Sequence, residues 1–295
     1  MSILASVRSI AWKESRPWLL LSPALAIITF FLVIPACFIV VYSFWLRTAI
    51  GTEEIGFYLD NWKLIFGDPF YRDVLVNTFG VAFITTIVCA IAGYVPAHFV
   101  AFSHTRHKDF LLLLLIVPFW ISYIIRTMSW MSVLGSEGIV NTLLLYIGVI
   151  DDPLHLLYSR FAVVLGLVQY LLPFMILNIY VSLNAIDKDM IDAAKSLGCN
   201  WRQAFKEVTF PLSLPGLGAG CLLCFVLASG NYITPLILGG PDDLMFANLV
   251  YATIVKQLNF PMGAALSVVL LILLGVLVTV YTRYLGVDQL AKSFR

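Results

Sequence analysis

DAAKSLGCNWRQAFKEVTFP, residues 192–211, is a charged interruption in a chain otherwise dominated by apolar residues. Met190, Ala193, Ala194 and Leu197 recur at i, i+3, i+4 and i+7, and so do Trp201, Ala204, Phe205 and Val208. Each set draws one apolar stripe along a short helix. Gly198 falls where the first helix must stop, because a C′ residue in the left-handed region suits glycine best. Asn200 is placed to cap a second helix through its side-chain oxygen, and Pro211 is expected to end that helix. The segment predicts helix, glycine turn, helix. Pattern alone leaves two readings open: an amphipathic hairpin lying on lipid or under its own bundle, and a knob on which a soluble partner docks. Ala193 and Ala194 favour docking, since small side chains let another surface approach closely.

The surroundings of this knob decide the solvent. Of 295 residues, 61% are hydrophobic and 12% charged, against about a quarter charged in soluble domains. The mean hydropathy is +0.94. A net charge of +1 gives no reason to expect a nucleic-acid partner. A helix needs about 20 apolar residues to cross a bilayer core. Six stretches qualify: Trp18–Trp45, Val74–Phe102, Phe110–Leu134, Phe161–Leu183, Leu212–Leu238 and Ala264–Tyr284. Ile139–Val149 and Leu244–Val255 are too short and are expected in the loops. The expected organisation is an all-α membrane protein of six transmembrane helices: a terminal segment 1–17, a membrane domain 18–286 carrying the loop 187–211, and a tail 287–295.

Orientation follows from the loop cations. Arg8, Lys13, Arg16, Arg106, Lys108, Lys188, Lys195, Arg202, Lys206, Arg283, Lys292 and Arg295 fall on one side, and Arg47, Lys63, Arg72, Arg160 and Lys256 on the other. The first side is expected to be cytoplasmic, with both termini inside and the knob facing the cytoplasm. The aromatic rings Trp45 and Trp130 are expected near the outer ends of their helices.

Residues 192–194, Gly198 and Val208-Thr-Phe-Pro211 resemble the EAA loop of ABC-importer permeases: Glu-Ala-Ala, three residues, Gly, nine residues, then Ile-x-Leu-Pro. The spacing is kept, with Asp for Glu, Val for Ile and Phe for Leu. LDNWKLIFGDPFYRDVLVNTF, VPFWISYIIRTMSWMSVL, GVIDDP, LLPFM and LILGGPDDLM extend the resemblance over most of the chain. They are similar to membrane subunits of spermidine/putrescine importers, within a polyamine and opine branch, and to the first permease of the pair. The resemblance implies the permease fold of type I ABC importers, in a bacterial cytoplasmic (inner) membrane. It implies that Asp192, Ala193, Ala194, Leu197, Gly198, Trp201, Phe205 and Pro211 form the loop that couples to an ATPase subunit. The implied partners are a cytoplasmic ATP-binding subunit dimer, a second permease and an external solute-binding protein. ATP and magnesium would belong to the ATPase, and no cofactor is expected in this chain.

The chain's own chemistry agrees. No glycine precedes a lysine, so the phosphate loop GxxxxGK[ST] is absent, as are GxSxG and HExxH. Cys221-Leu-Leu-Cys224 lies within an apolar stretch and reads as soft packing. His98, His104 and His107 have no acidic or cysteine ligand to complete a metal motif, and no metal site is expected. No span contains Asp or Glu, and Arg126 is the only charge in a span interior, about 24 Å along its helix at 1.5 Å per residue. The lack of intramembrane acids weighs against an ion-coupled secondary transporter and against an intramembrane enzyme.

The candidate solute pathway is aromatic: Trp120, Tyr123 and Trp130 in the third span, with Phe119 beside them, and Tyr170 and Tyr232 from other spans. Such faces hold organic cations, while the bland alternative is belt and packing. Asn231 stands where, by resemblance, polyamine-branch relatives can carry an acid. Arg126 is an awkward neighbour for a cation and suits an anionic group. Polyamine is the leading solute, with opines, amino-acid derivatives and other small organic solutes as alternatives.

Overall fold

A computed structural model describes residues 21–50, 52–103 and 108–283. The terminal segments, the cations at 8, 13, 16, 106, 292 and 295, and the histidines at 104 and 107 lie outside the described residues. Apart from one hairpin the described residues are helical: α1 Leu21–Tyr42, β1 Leu46–Ala49, β2 Thr52–Glu54, α2 Asp60–Gly67, α3 Pro69–Phe102, α4 Lys108–Ile116, α5 Tyr123–Leu134, α6 Ile139–Ile147, α7 Arg160–Asn184, α8 Lys188–Ser196, α9 Trp201–Ser229, α10 Ile233–Leu238, α11 Phe246–Lys256 and α12 Phe260–Tyr281. Six stretches have the length and apolarity to cross a membrane: α1, α3, Tyr123–Ile147, α7, α9 and α12.

By contact the chain divides into two units, one of residues up to 64 with 253–269, the other of 65–252 with 270 onward. In the first, α1 leads into the antiparallel β1–β2 hairpin, which the periodicity of the sequence does not announce. Phe44 stacks on Phe57 at 4.5 Å and on Trp62 at 5.7 Å. Asn61 Nδ2 donates to the carbonyls of Ser43 and Trp45 at 3.3 and 3.0 Å. Tyr58 donates to Glu54 at 2.7 Å, and this bond to a carboxylate raises the phenol pKa.

The second unit is built on α3, α7 and α9. Val81, Cys89, Ala97, Leu167, Leu171, Met175, Ile179, Cys224 and Ala228 are buried together between them. Cys224 Sγ lies 3.7 Å from Leu171 O, as a small packing group. Close approach depends on Gly216 of α9, where a Cβ would sit 2.5 Å from Asn178 O of α7. Small residues at such contacts let membrane helices pack backbone to backbone. A smaller cluster of Leu134, Ala162 and Leu238 joins α5, α7 and α10.

Two expected spans are broken. The run Phe110–Leu134 is not one helix: α4 gives way to a 3₁₀ turn at Val117–Trp120, the chain extends at Ile121 (φ −92°, ψ 134°), and α5 restarts at Tyr123. Pro118 has no N–H to continue the ladder, and hydropathy is blind to that. Arg126 is therefore the fourth residue of α5, and its distance along an unbroken helix no longer applies. The run Leu212–Leu238 breaks after Ser229, with α10 resuming at Ile233.

Gly216→Val is expected to overpack the α7–α9 contact at a cost of about 1–3 kcal/mol. Thermal unfolding in detergent should show a lowered midpoint. Gly80→Ala, with open space around the added carbon, should leave the midpoint unchanged or raised.

Candidate functional site

Two regions carry the residues singled out above. The first is the elbow between α7 and α9. Asp187 caps α8, its Oδ1 accepting from Asp189 N at 3.0 Å. The helix ends in a Schellman turn: Gly198 N donates to Lys195 O at 2.9 Å and Cys199 N to Ala194 O at 3.1 Å. Gly198 has φ +94°, a conformation that costs a β-branched residue about 1–2 kcal/mol. Asn200 and Gln203 then form a reciprocal capping box, both bonds 2.9 Å. Local hydrogen bonding thus fixes the angle between α8 and α9.

The elbow's outer face is apolar and open. Met190, Leu197 and Trp201 are 51%, 86% and 72% exposed. Ala193 is exposed and Ala194 half-buried. Asp192 pairs with Lys195 at 2.9 Å. Phe205 does not share the outer face. It turns inward onto Tyr94 and His98 of α3, with ring centroids 5.8 and 5.7 Å away. Pro211 does not end the helix either. A π turn at Phe205–Thr209 precedes it, with Phe210 N bonding to Phe205 O, and α9 runs through. The looser turn carries the helix past a residue with no N–H of its own.

The second region is where the two helix breaks meet. Asn231, in the break after α9, donates from Nδ2 to the Tyr123 hydroxyl at 2.8 Å, and its Oδ1 accepts from Thr234 N at 3.0 Å. Tyr123, the first residue of α5, also bonds to Thr234 Oγ1. The Tyr123 ring lies 4.5 Å from Tyr170, Tyr170 lies 5.9 Å from Phe174, and Phe174 lies 5.1 Å from Phe119. Tyr232 stacks on Tyr251 at 5.0 Å, and its carbonyl accepts from Asn248 Nδ2 at 2.7 Å. Trp130 donates to Gln169 at 2.8 Å. Arg126 is half-buried, and its Nε is enclosed without a hydrogen-bond partner.

The structure therefore brings together Tyr123, Tyr170 and Asn231, and adds Phe174, Thr234 and Gln169, which sequence reasoning missed. Gln169 offered a signal, as a polar side chain inside an apolar span. Trp120 is 75% exposed and stands apart from the ring cluster. Tyr123, Arg126 and Trp130, at i, i+3 and i+7, share one side of α5. Among the described residues no group of three or more His, Cys, Asp or Glu is placed to hold a metal ion.

The two regions lie at different levels of the second unit. At the elbow's level Lys108 Nζ donates to Asn184 Oδ1 at 2.8 Å. At the opposite end of α3 and α7, Arg160 bonds to Asn77 Oδ1 at 2.6 Å and pairs with Asp243 at 3.6 Å.

Known proteins share this architecture. The family model described as "Binding-protein-dependent transport system inner membrane component" matches residues 9–287. The spermidine/putrescine transport system permease protein PotB of Escherichia coli (strain K12) is 36% identical over 253 residues, covering 86% of this chain and 92% of the relative. The inner membrane ABC transporter permease protein YdcU of the same organism is 29% identical over 263 residues, covering 84% of this chain and 82% of the relative. A chain in the crystal structure of a bacterial alginate ABC transporter, in complex with its alginate pentasaccharide-bound periplasmic protein, superposes with a TM-score of 0.72. It is 16% identical, and 94% of this chain and 98% of that one are covered. That likeness shows the fold. The chain belongs to the family of binding-protein-dependent transport system inner membrane components, as an ABC transporter permease whose ATP is hydrolysed in a partner subunit.

Proposed function

We propose that this permease forms half of a solute pathway and is driven through the α8–α9 elbow by an ATP-binding subunit docked on it. The observation that carries this reading is the open apolar ridge of Met190, Leu197 and Trp201 on an elbow whose angle is fixed by a Schellman turn and a capping box. Exposed apolar side chains on a rigid, otherwise polar knob are what a protein partner covers. Asp192, Ala193, Ala194 and Gly198 set its shape. On this reading the elbow and both termini face the cytoplasm, as the loop cations require. A second permease completes the pathway, and a loaded binding protein engages the outer face. Each partner biases the spans because it binds one conformation better than the other.

The leading solute is a polyamine, supported by the relationship to PotB and by the ring cluster of Tyr123, Tyr170 and Phe174. Each aromatic face is worth about 0.5–2 kcal/mol to an organic cation. Interrupted spans are also where membrane transporters place their binding sites. A second reading, a solute with an acidic group beside its amine, is favoured by one observation: the enclosed, unpartnered Nε of Arg126.

Reconstitution of the four-part complex with a panel of loaded binding proteins tests the solute class. The binding protein that stimulates ATP hydrolysis and uptake identifies it, and polyamine is the expected result. Arg126→Gln separates the two readings. For a polyamine, uptake should stay within about twofold, whereas loss of a buried charged contact to an acidic solute should cost more than about tenfold. Gly198→Val should abolish most uptake while leaving the spans inserted and the protein at its normal level in membranes. Uptake at the wild-type rate by that variant would contradict the docking role.

A further inference from the structure

Where α9 leaves the elbow, its helix widens. In a regular α-helix, side chains five apart point about 140° from one another. The i→i+5 turn at Phe205–Thr209 instead draws Phe205 and Phe210 towards one side, with their rings 6.0 Å apart. That side meets α3. Tyr94 lies 5.8 Å from Phe205, edge to face, and 5.9 Å from Phe210. His98 lies 5.7 Å from Phe205 and 6.4 Å from Tyr94, and Phe102 closes on His98 at 4.9 Å. A polar bolt locks the box. Tyr94 Oη and the buried Ser213 Oγ are 2.8 Å apart, and Ser213 donates in turn to Phe210 O at 2.8 Å. Phe205, which the spacing had assigned to the docking face, is the elbow's inward contact with α3.

The contrast with the outer ridge is sharp. Leu197 and Trp201 touch little within the chain, whereas Phe205, four residues after Trp201, is held by three rings. A π turn is the weak point of a helix, since its hydrogen bonds are longer-range and fewer per residue. A force applied at the ridge bends α9 there unless something braces it, and the box is placed at that point.

We propose that Tyr94, His98, Phe205 and Phe210, bolted by Ser213, form a joint that makes the elbow and α3 move as one body. Displacement of the elbow then reaches α3 as well as α9. Phe205 acts as a positioning residue, through α3, and touches no solute. The proposal rests on the reading that the elbow docks the ATP-binding subunit.

The test is the ratio of solute taken up to ATP hydrolysed, measured on the assembled transporter in proteoliposomes with its loaded binding protein. Phe205→Ala should lower that ratio about five- to tenfold while hydrolysis stays within about twofold of wild type and the ATP-binding subunit still co-purifies. Phe205→Tyr, which keeps a ring, should restore the ratio. The double variant His98→Ala, Phe205→Ala should be no worse than Phe205→Ala alone, because a joint already broken cannot be broken again. Tyr94→Phe, which removes only the bolt and endangers folding least, should lower the ratio about two- to threefold.

An unchanged ratio in Phe205→Ala, or in Tyr94→Phe should the former not accumulate, overturns the joint. So does an equal fall of uptake and hydrolysis with the complex intact. Failure of the docking reading looks different: the wild-type chain would then not retain the ATP-binding subunit at all.

Discussion

A backbone that leaves its helix inside a membrane must find new partners for every freed polar group, because lipid offers none. This chain breaks two of its apolar runs, at 117–122 and at 230–232, and a single amide serves both. Asn231 caps α10 through Oδ1 and holds Tyr123, the residue that restarts α5, through Nδ2. Irregular backbone is tolerated at membrane depth only where protein shields it, and here the shield is the ring cluster of Tyr123, Tyr170, Phe174 and Phe119. The candidate solute site and the repair of the broken helices are thus the same set of side chains.

Helix α9 ties that site to the elbow. Its 29 residues span about 43 Å at 1.5 Å per residue, from Trp201 on the exposed ridge to the break that presents Asn231. Along the way it packs on α7 through Gly216 and on α3 through the aromatic box. A rigid element running from the docking surface to the solute cluster is what lets a nucleotide cycle outside the bilayer change a site within it. The same geometry explains why the elbow is so heavily capped: a frayed junction between α8 and α9 would absorb the motion it has to pass on.

The elbow was legible in the sequence because its determinants are local. Gly198 needs only its own φ, and Asn200 needs only Gln203 three residues on. The spans were legible as apolar lengths, but their breaks were not. The run Phe110–Leu134 stays apolar through Pro118 and Ile121, where the chain changes direction, so composition carries no mark of it. Phe205 and Pro211 were misplaced for a related reason: a 3.6-residue period assumes a regular helix, and a π turn shifts every side chain after it. The pairing of Trp130 with Gln169 and of Tyr123 with Asn231 depends on tertiary contacts between spans that no local pattern records. The β1–β2 hairpin is short and polar, held by Phe44, Phe57 and Trp62 rather than by alternation.

The central claim is that the ridge at 190, 197 and 201 is covered by an ATP-driven subunit. Its most direct test is crosslinking from Leu197→Cys, in a background lacking the five native cysteines, within membranes that contain the whole transporter. The account predicts a crosslink to the ATP-binding subunit whose yield changes when ATP is bound. Labelling of position 197 by lipid-soluble reagents, with no crosslink to that subunit in any nucleotide state, would contradict it.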